Sequence, residues 1–232
     1  MKHVGIIGGI GPEATMDYYR AIIAGVQQVK HSTAVLPEIS IRSIDMYRMF
    51  SMLDREDYPA VEAYLGAAAE DLRHGGADFG LMCGNTPHIV FDGIQRRTAL
   101  PLLSIVTSAL QEAQRRGLHR LGLLGTKFTM HHDFFTSAFQ AAGIAMVTPE
   151  AADQELIHAR IVDELEQGIV RDETRTLLLG IVSRMVAEHG LDGIVLGCTE
   201  LPLILSPENM PVATLDIADI HIRAIVARIL AD

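Results

Sequence analysis

The chain is poor in cysteine, with two in 232 residues, and it has no tryptophan. Two thiols cannot hold a fold of this length together, so stability must come from a buried apolar core, for which the length is ample. Free thiols and no export signal point to a cytoplasmic protein. The opening MKHVGIIGGIGPEA has a short apolar stretch, but Pro12 and Glu13 follow at once, so it reads as a first strand and loop rather than a secretion signal. Long apolar runs are missing too. None approaches the roughly 18 residues of a membrane span, and no membrane partner is expected. Basic residues are also scarce, 19 Lys and Arg against 29 Asp and Glu, for a formal net charge of −10. No basic run exceeds Arg96-Arg97 or Arg115-Arg116, which argues against nucleic acid. An anionic ligand would need local cations or backbone N–H groups to overcome the overall field.

What is present is an alternation. Aliphatic runs at 3–9, 38–44, 78–83, 101–106, 120–126, 143–149, 192–198 and 211–216 read as buried parallel strands. Helical patterns fill 13–29, 58–74, 107–117, 131–142, 153–168, 172–189 and 217–230. Such alternation implies an α/β fold. The chain also repeats itself. HGGADFGLMCGNT (74–86) aligns with HGLDGIVLGCTE (189–200), and HVGIIGG resembles RLGLLGT. The expected architecture is two pseudo-symmetric lobes, each a short parallel sheet flanked by helices, with the active site in the cleft between them. The expected boundaries are 1–108 for the first lobe, completed by 212–232, and 109–211 for the second.

Both cysteines stand where an apolar run breaks, in MCGNTPH (82–88) and LGCTE (196–200). They are not equivalent. Setting Asp78 against Asp192 places Gly84, not Cys83, opposite Cys198, and one residue in a strand exchanges its two faces. Cys198 precedes a hydroxyl and a carboxylate, Thr199 and Glu200. Backbone N–H groups at the next segment would lower its thiol pKa and suit it to proton transfer. The plain alternative, a small buried hydrophobe, carries equal weight from this site alone. Asn85, Thr86 and Thr199 offer amide and hydroxyl groups that suit a carboxylate, against ordinary turn and cap roles.

GGIGPEAT (8–15) is a variant of the dinucleotide fingerprint, but Pro12 removes an N–H and Glu13 would repel a pyrophosphate. A glycine loop approaching a small anion is the better reading, and no nucleotide cofactor is expected. The ten histidines show no paired ligand spacing, so no metal is expected, and His131-His132-Asp133 reads as a solvated helix start. GTKFT (125–129) reads as a loop in which Lys127 meets an anion or water, and Arg48 poses the same choice. No GxSxG elbow marks a serine esterase.

GGIGPEAT, GADFGLMCGNTPH, GLLGTKFT and LGCTELPLIL, in this order and along almost the whole chain, resemble the aspartate/glutamate racemase family, aspartate racemase branch. The resemblance implies a homodimer of two-lobed subunits and racemisation without pyridoxal phosphate or metal. One thiolate removes the α-proton and a thiol on the opposite face returns one. Carried over by position, Cys198 is one catalytic thiol. Asn85, Thr86, Thr129 and Thr199 are substrate contacts, joined by Glu200, and Arg48 holds a carboxylate. The family reads Cys-Asn-Thr where this chain has Gly84-Asn85-Thr86, so Cys83, one position early, or a water must serve as the second base. The family's second-lobe lysine falls near Glu166 here and is not carried over.

The expected function is cofactor-independent racemisation of an acidic amino acid, aspartate or glutamate. The alternatives are a single-thiol isomerase or decarboxylase of a related dicarboxylic acid, and a non-catalytic binder of acidic metabolites.

Overall fold

The computed structural model describes residues 1–231. In chain order the elements are β1 (Val4–Gly8), α1 (Pro12–Lys30), β2 (Ile39–Ser43), α2 (Met46–Leu53), α3 (Tyr58–His74), β3 (Phe79–Met82), α4 (Phe91–Arg96), β4 (Leu102–Leu103) and α5 (Ile105–Arg115). There follow β5 (Arg120–Leu124), α6 (Lys127–His131), α7 (Thr136–Ala141), β6 (Ala145–Val147), α8 (Ala151–Asp163), α9 (Asp172–His189), β7 (Gly193–Leu196), β8 (Ala213–Asp216) and α10 (Ile217–Leu230). They form two four-stranded parallel sheets, ordered β2-β1-β3-β4 and β6-β5-β7-β8. The strand order is the same in both, as the internal repeat requires.

One compact unit runs from Met1 to Ile105 and resumes at His221; the other is Val106–Ile220. The sequence alone places this return at 212. β8 explains the difference. It pairs with β7 along Gly193↔Ala213 to Leu196↔Asp216, so it belongs to the second sheet, and the chain rejoins the first unit only within α10.

Burial follows composition. All five residues of β1 and all four of β3 and β7 are buried, the pattern of strands covered on both faces. α1 buries Ala14, Thr15, Tyr18, Ile22 and Val26, one face at helical spacing. It starts at Pro12, where a missing N–H costs nothing, and ends at His31 in the left-handed conformation. In the second unit Leu124, Ile157, Ile161, Leu178, Val182, Ile194, Leu196 and Leu201 share one core cluster, against which Cys198 packs.

The repeat extends to hydrogen bonds. Asp78 accepts the His3 N–H at 2.7 Å, and Asp192 accepts the His119 N–H at 2.7 Å, each fastening the start of one central strand to the next. At the other end, Cys83 N donates to Ile7 O at 3.3 Å and Gly197 N donates to Leu124 O at 2.7 Å. These are the same bond in the two sheets. Cys83 therefore stands where Gly197 does, and Gly84 where Cys198 does.

Three local expectations are corrected. The strand at 101–106 shrinks to Leu102–Leu103, because Gln95 Oε1 takes the Leu102 N–H at 2.8 Å and Ile105 already opens α5. Residues 127–129 of the expected GTKFT loop are helical, the first part of α6. His131 and His132 consequently sit at the end of that helix rather than at a helix start. No helix among the described residues is long and apolar enough to cross a membrane.

Candidate active site

In the second unit, β7 delivers the chain to Gly197, and Cys198 lies half-buried just beyond. A 3-10 turn at Leu201–Leu203 with Pro202 in its first turn follows, and Cys198 O accepts the Leu201 N–H at 3.3 Å. The Cys198 thiol donates to Glu200 Oε2 at 2.9 Å, and the Thr199 hydroxyl donates to Glu200 Oε1 at 2.8 Å. Both carboxylate oxygens are thus oriented by the two preceding side chains. Burial, then the Glu200 charge and its hydrogen bond, raise the Cys198 thiol well above its ordinary value. The resting sulfur is a protonated donor, opposite to the lowered pKa expected from backbone N–H groups alone. Glu166, on the 3-10 turn at Leu165–Gln167, adds a second negative charge that acts on Cys198. Its own carboxyl is pushed up by burial and then by Glu200.

Thr129, in α6, is buried and lies over the ends of β5 and β7. A Cβ on Gly125 or Gly197 would come within 3.2 or 3.3 Å of its methyl group, and its hydroxyl meets Thr126 Oγ1 at 3.5 Å. Lys127 is ion-paired with Glu155.

In the first unit, Asn85 and Thr86 are half-buried where β3 gives way to a 3-10 turn, Thr86–Val90. His88 of that turn is buried and stacks on Phe91 at 5.3 Å. Its Nε2 accepts the Ile105 N–H at 3.2 Å, which makes Nδ1, 3.2 Å from Asn85 O, the donor. Burial depresses its pKa to about 4, so it is a neutral brace for the Asn85 backbone.

Cys83 is 0% exposed. Its sulfur lies 3.1 Å from Thr15 Oγ1 and 3.5 Å from Ile7 O, and burial raises its pKa, with the Thr15 hydroxyl pulling the other way. The sulfur faces the interior of its own unit. The glycine loop is likewise occupied: Gly9 donates its N–H to Thr15 Oγ1 at 2.9 Å, so this group is not free for the small anion expected from GGIGP.

Arg48 sits exposed on α2, its guanidinium 4.6 Å above the Tyr64 ring. Asp45 caps that helix through the Tyr47 and Arg48 N–H groups, and Tyr64 OH accepts the Asp45 N–H at 3.0 Å. Tyr64 of α3 therefore holds both the helix start and the cation.

The structure thus gathers Cys198, Thr199, Glu200 and Thr129 at one strand edge, and Asn85 and Thr86 at the equivalent edge of the other sheet. Sequence reasoning missed Thr15, His88 and Tyr64. Thr15 carried a usable signal, a hydroxyl one helical turn after Gly11. Tyr64 carried none, since it reaches Asp45 only through tertiary packing. No group of three or more His, Cys, Asp or Glu among the described residues could hold a metal ion.

Comparison with known proteins bears on the fold and the family. A protein of Yersinia pestis assigned as an Asp/Glu racemase superposes with a TM-score of 0.93 at 31% identity, each chain covered in full. An aspartate racemase homologue from Pyrococcus horikoshii superposes at 0.89 with 32% identity, again over 100% of both chains. The glutamate racemase of Mycobacterium ulcerans is 27% identical over 150 residues, 63% of this chain and 52% of that protein, so the match spans about half of that relative's length. The Asp/Glu/Hydantoin racemase model matches residues 7–225. With two equivalent parallel sheets and a thiol beside a carboxylate at one strand edge, the chain is an isomerase that belongs to the Asp/Glu/hydantoin racemase family.

Proposed function

We propose that the protein racemises an acidic amino acid, aspartate or glutamate, without pyridoxal phosphate or metal, and that Cys198 carries the proton. The observation that carries this reading is the 2.9 Å hydrogen bond from the Cys198 thiol to Glu200. A thiol held protonated is a poor base, but a carboxylate within hydrogen-bond reach can take its proton. Glu200 accepts the thiol hydrogen, the sulfur so freed removes the α-hydrogen, and Cys198 returns to the thiol as the carbon becomes a carbanion. A proton from a second donor, added to the opposite face, completes inversion. Arg48, Asn85, Thr86, Thr129 and Thr199 are the proposed substrate contacts.

A second reading has its own support. Gly84 stands at the position equivalent to Cys198, and Cys83 is sealed inside its unit. That favours a single-thiol isomerase or decarboxylase of a dicarboxylic acid. The test is to follow each enantiomer of aspartate and glutamate in deuterium oxide by mass spectrometry and chiral chromatography. Inversion with one deuterium gained at the α-carbon is expected. Release of carbon dioxide from a related dicarboxylic acid, with no α-exchange in either amino acid, would transfer the assignment to the second reading.

A further inference from the structure

Gly84 is buried, and its backbone is not left-handed, so conformation does not demand glycine there. Space does. A Cβ at position 84 would fall 2.8 Å from Ile10 Cγ2 and 2.8 Å from Ile10 O. Separations below 3.0 Å are essentially never seen for real Cβ atoms, and one of these two neighbours is backbone. Ile10 is itself 6% exposed and belongs to the loop between β1 and α1.

That loop is held on both sides of Ile10 by one hydroxyl. Thr15 Oγ1 accepts the Gly9 N–H at 2.9 Å and donates to Gly11 O at 2.9 Å. Cys83 Sγ lies 3.1 Å from the same hydroxyl oxygen. Gly9, at φ +81 with its missing Cβ 2.3 Å from Ile44 O, lets the chain turn tightly enough to enter this clamp. The Cys198 thiol, at the equivalent position, meets Glu200 rather than a strand-to-helix loop.

We propose that Ile10, clamped between the two hydrogen bonds of Thr15, fills the space beside Gly84 and so prevents the first unit's strand end from presenting any side-chain acid or base at the position that mirrors Cys198. Ile10 is a specificity-determining residue. While it stands there, proton exchange is carried by one thiol, and the two enantiomers are treated unequally. Only this catalytic consequence rests on the racemase reading above; the steric relation does not.

The experiment is a thermal double-mutant cycle with an activity arm. Gly84→Ala is expected to lower Tm by about 5 °C or more, as overpacking does in a domain of this size. The same substitution in an Ile10→Ala background should cost less than half as much. Gly84→Cys with Ile10→Ala should add one alkylatable thiol by mass spectrometry and bring the deuterium exchange rates of the two enantiomers at least threefold closer together. Should Gly84→Ala not fold, folding of the Ile10→Ala double variant supports the proposal, and failure of both overturns it. A parental Tm for Gly84→Ala, or an equal cost in both backgrounds, also overturns it. Thermal coupling with no exchange in any amino acid would leave Ile10 in its role and remove the racemase reading instead.

Discussion

The two sheets end on the same backbone hydrogen bond but place their sulfurs differently. Cys83 makes that bond itself and turns its side chain into the interior, against Thr15 and Ile7. In the second sheet Gly197 makes the bond, and the sulfur comes one residue later, half-buried and beside a carboxylate. A single position along a strand separates a thiol that ties a loop from one that can exchange a proton. Burial raises both pKa values, so burial is not the distinction. The partner is: a neutral hydroxyl, against a carboxylate able to accept the thiol hydrogen.

The sharpest way to break this contrast is to remove each sulfur in turn. Cys198→Ala should reduce kcat by about 10³-fold or more, within the range expected of a positioned acid–base group. Cys83→Ala should keep turnover within about threefold while lowering Tm by a few degrees, since only a buried sulfhydryl contact is lost. Comparable loss of kcat in both variants, measured with each enantiomer, would erase the distinction.

Glu200→Gln should act in two opposite directions. Turnover should fall by about 10- to 100-fold, because the acceptor of the thiol hydrogen is gone. Yet the Cys198 thiol should become more acidic, since the charge that raises its pKa has been removed. Iodoacetamide labelling followed against pH would then shift to lower pH as activity declines. A shift to higher pH would mean that Glu200 does not hold the thiol protonated.

Acid distinguishes the units more gently. The first unit buries two neutral imidazoles, His88 depressed to about 4 and His221 to about 3, each mainly by desolvation. The unfolded chain binds protons near pH 6.5 and the folded unit does not, so stability is full above that pH and falls as pH drops toward 4 and 3. The slope is about 1.4 kcal/mol per pH unit for each imidazole. Hydrogen exchange between pH 7 and 4.5 should show protection declining first in β3 and β4. Earlier loss in β5 and β7 would contradict it.

Much of this was legible in the chain because the repeat constrains it. Aligning Asp78 with Asp192 fixed the register that sets Gly84 against Cys198, and both aspartates indeed cap equivalent strand starts. The α3, α9 and α10 spans were readable from apolar spacing bounded by Asp57, Gly190 and Asp216, whose side chain caps α10 through the Ala218 and Asp219 N–H groups. What could not be read depends on distant packing. The Tyr64 ring under Arg48, the Gln95 amide that shortens β4, and the Ile10 side chain over Gly84 leave no periodic trace. The Cys198 pKa was misjudged for the same reason: local N–H groups are visible in sequence, but the depth of burial and the rotamer of Glu200 are not.

The interrupted first unit bears on how the molecule is made. Its last helix docks through His221, bonded to Tyr18 across 203 positions at 3.1 Å, and through Ile229 O, which accepts the Lys2 N–H at 2.8 Å. Those residues leave the ribosome only after the whole of the second unit. The second unit is continuous and can reach its native topology while the amino-terminal sheet still waits for its closing helix, a long-range closure of the kind that slows folding. The first sheet should therefore complete its packing after the second.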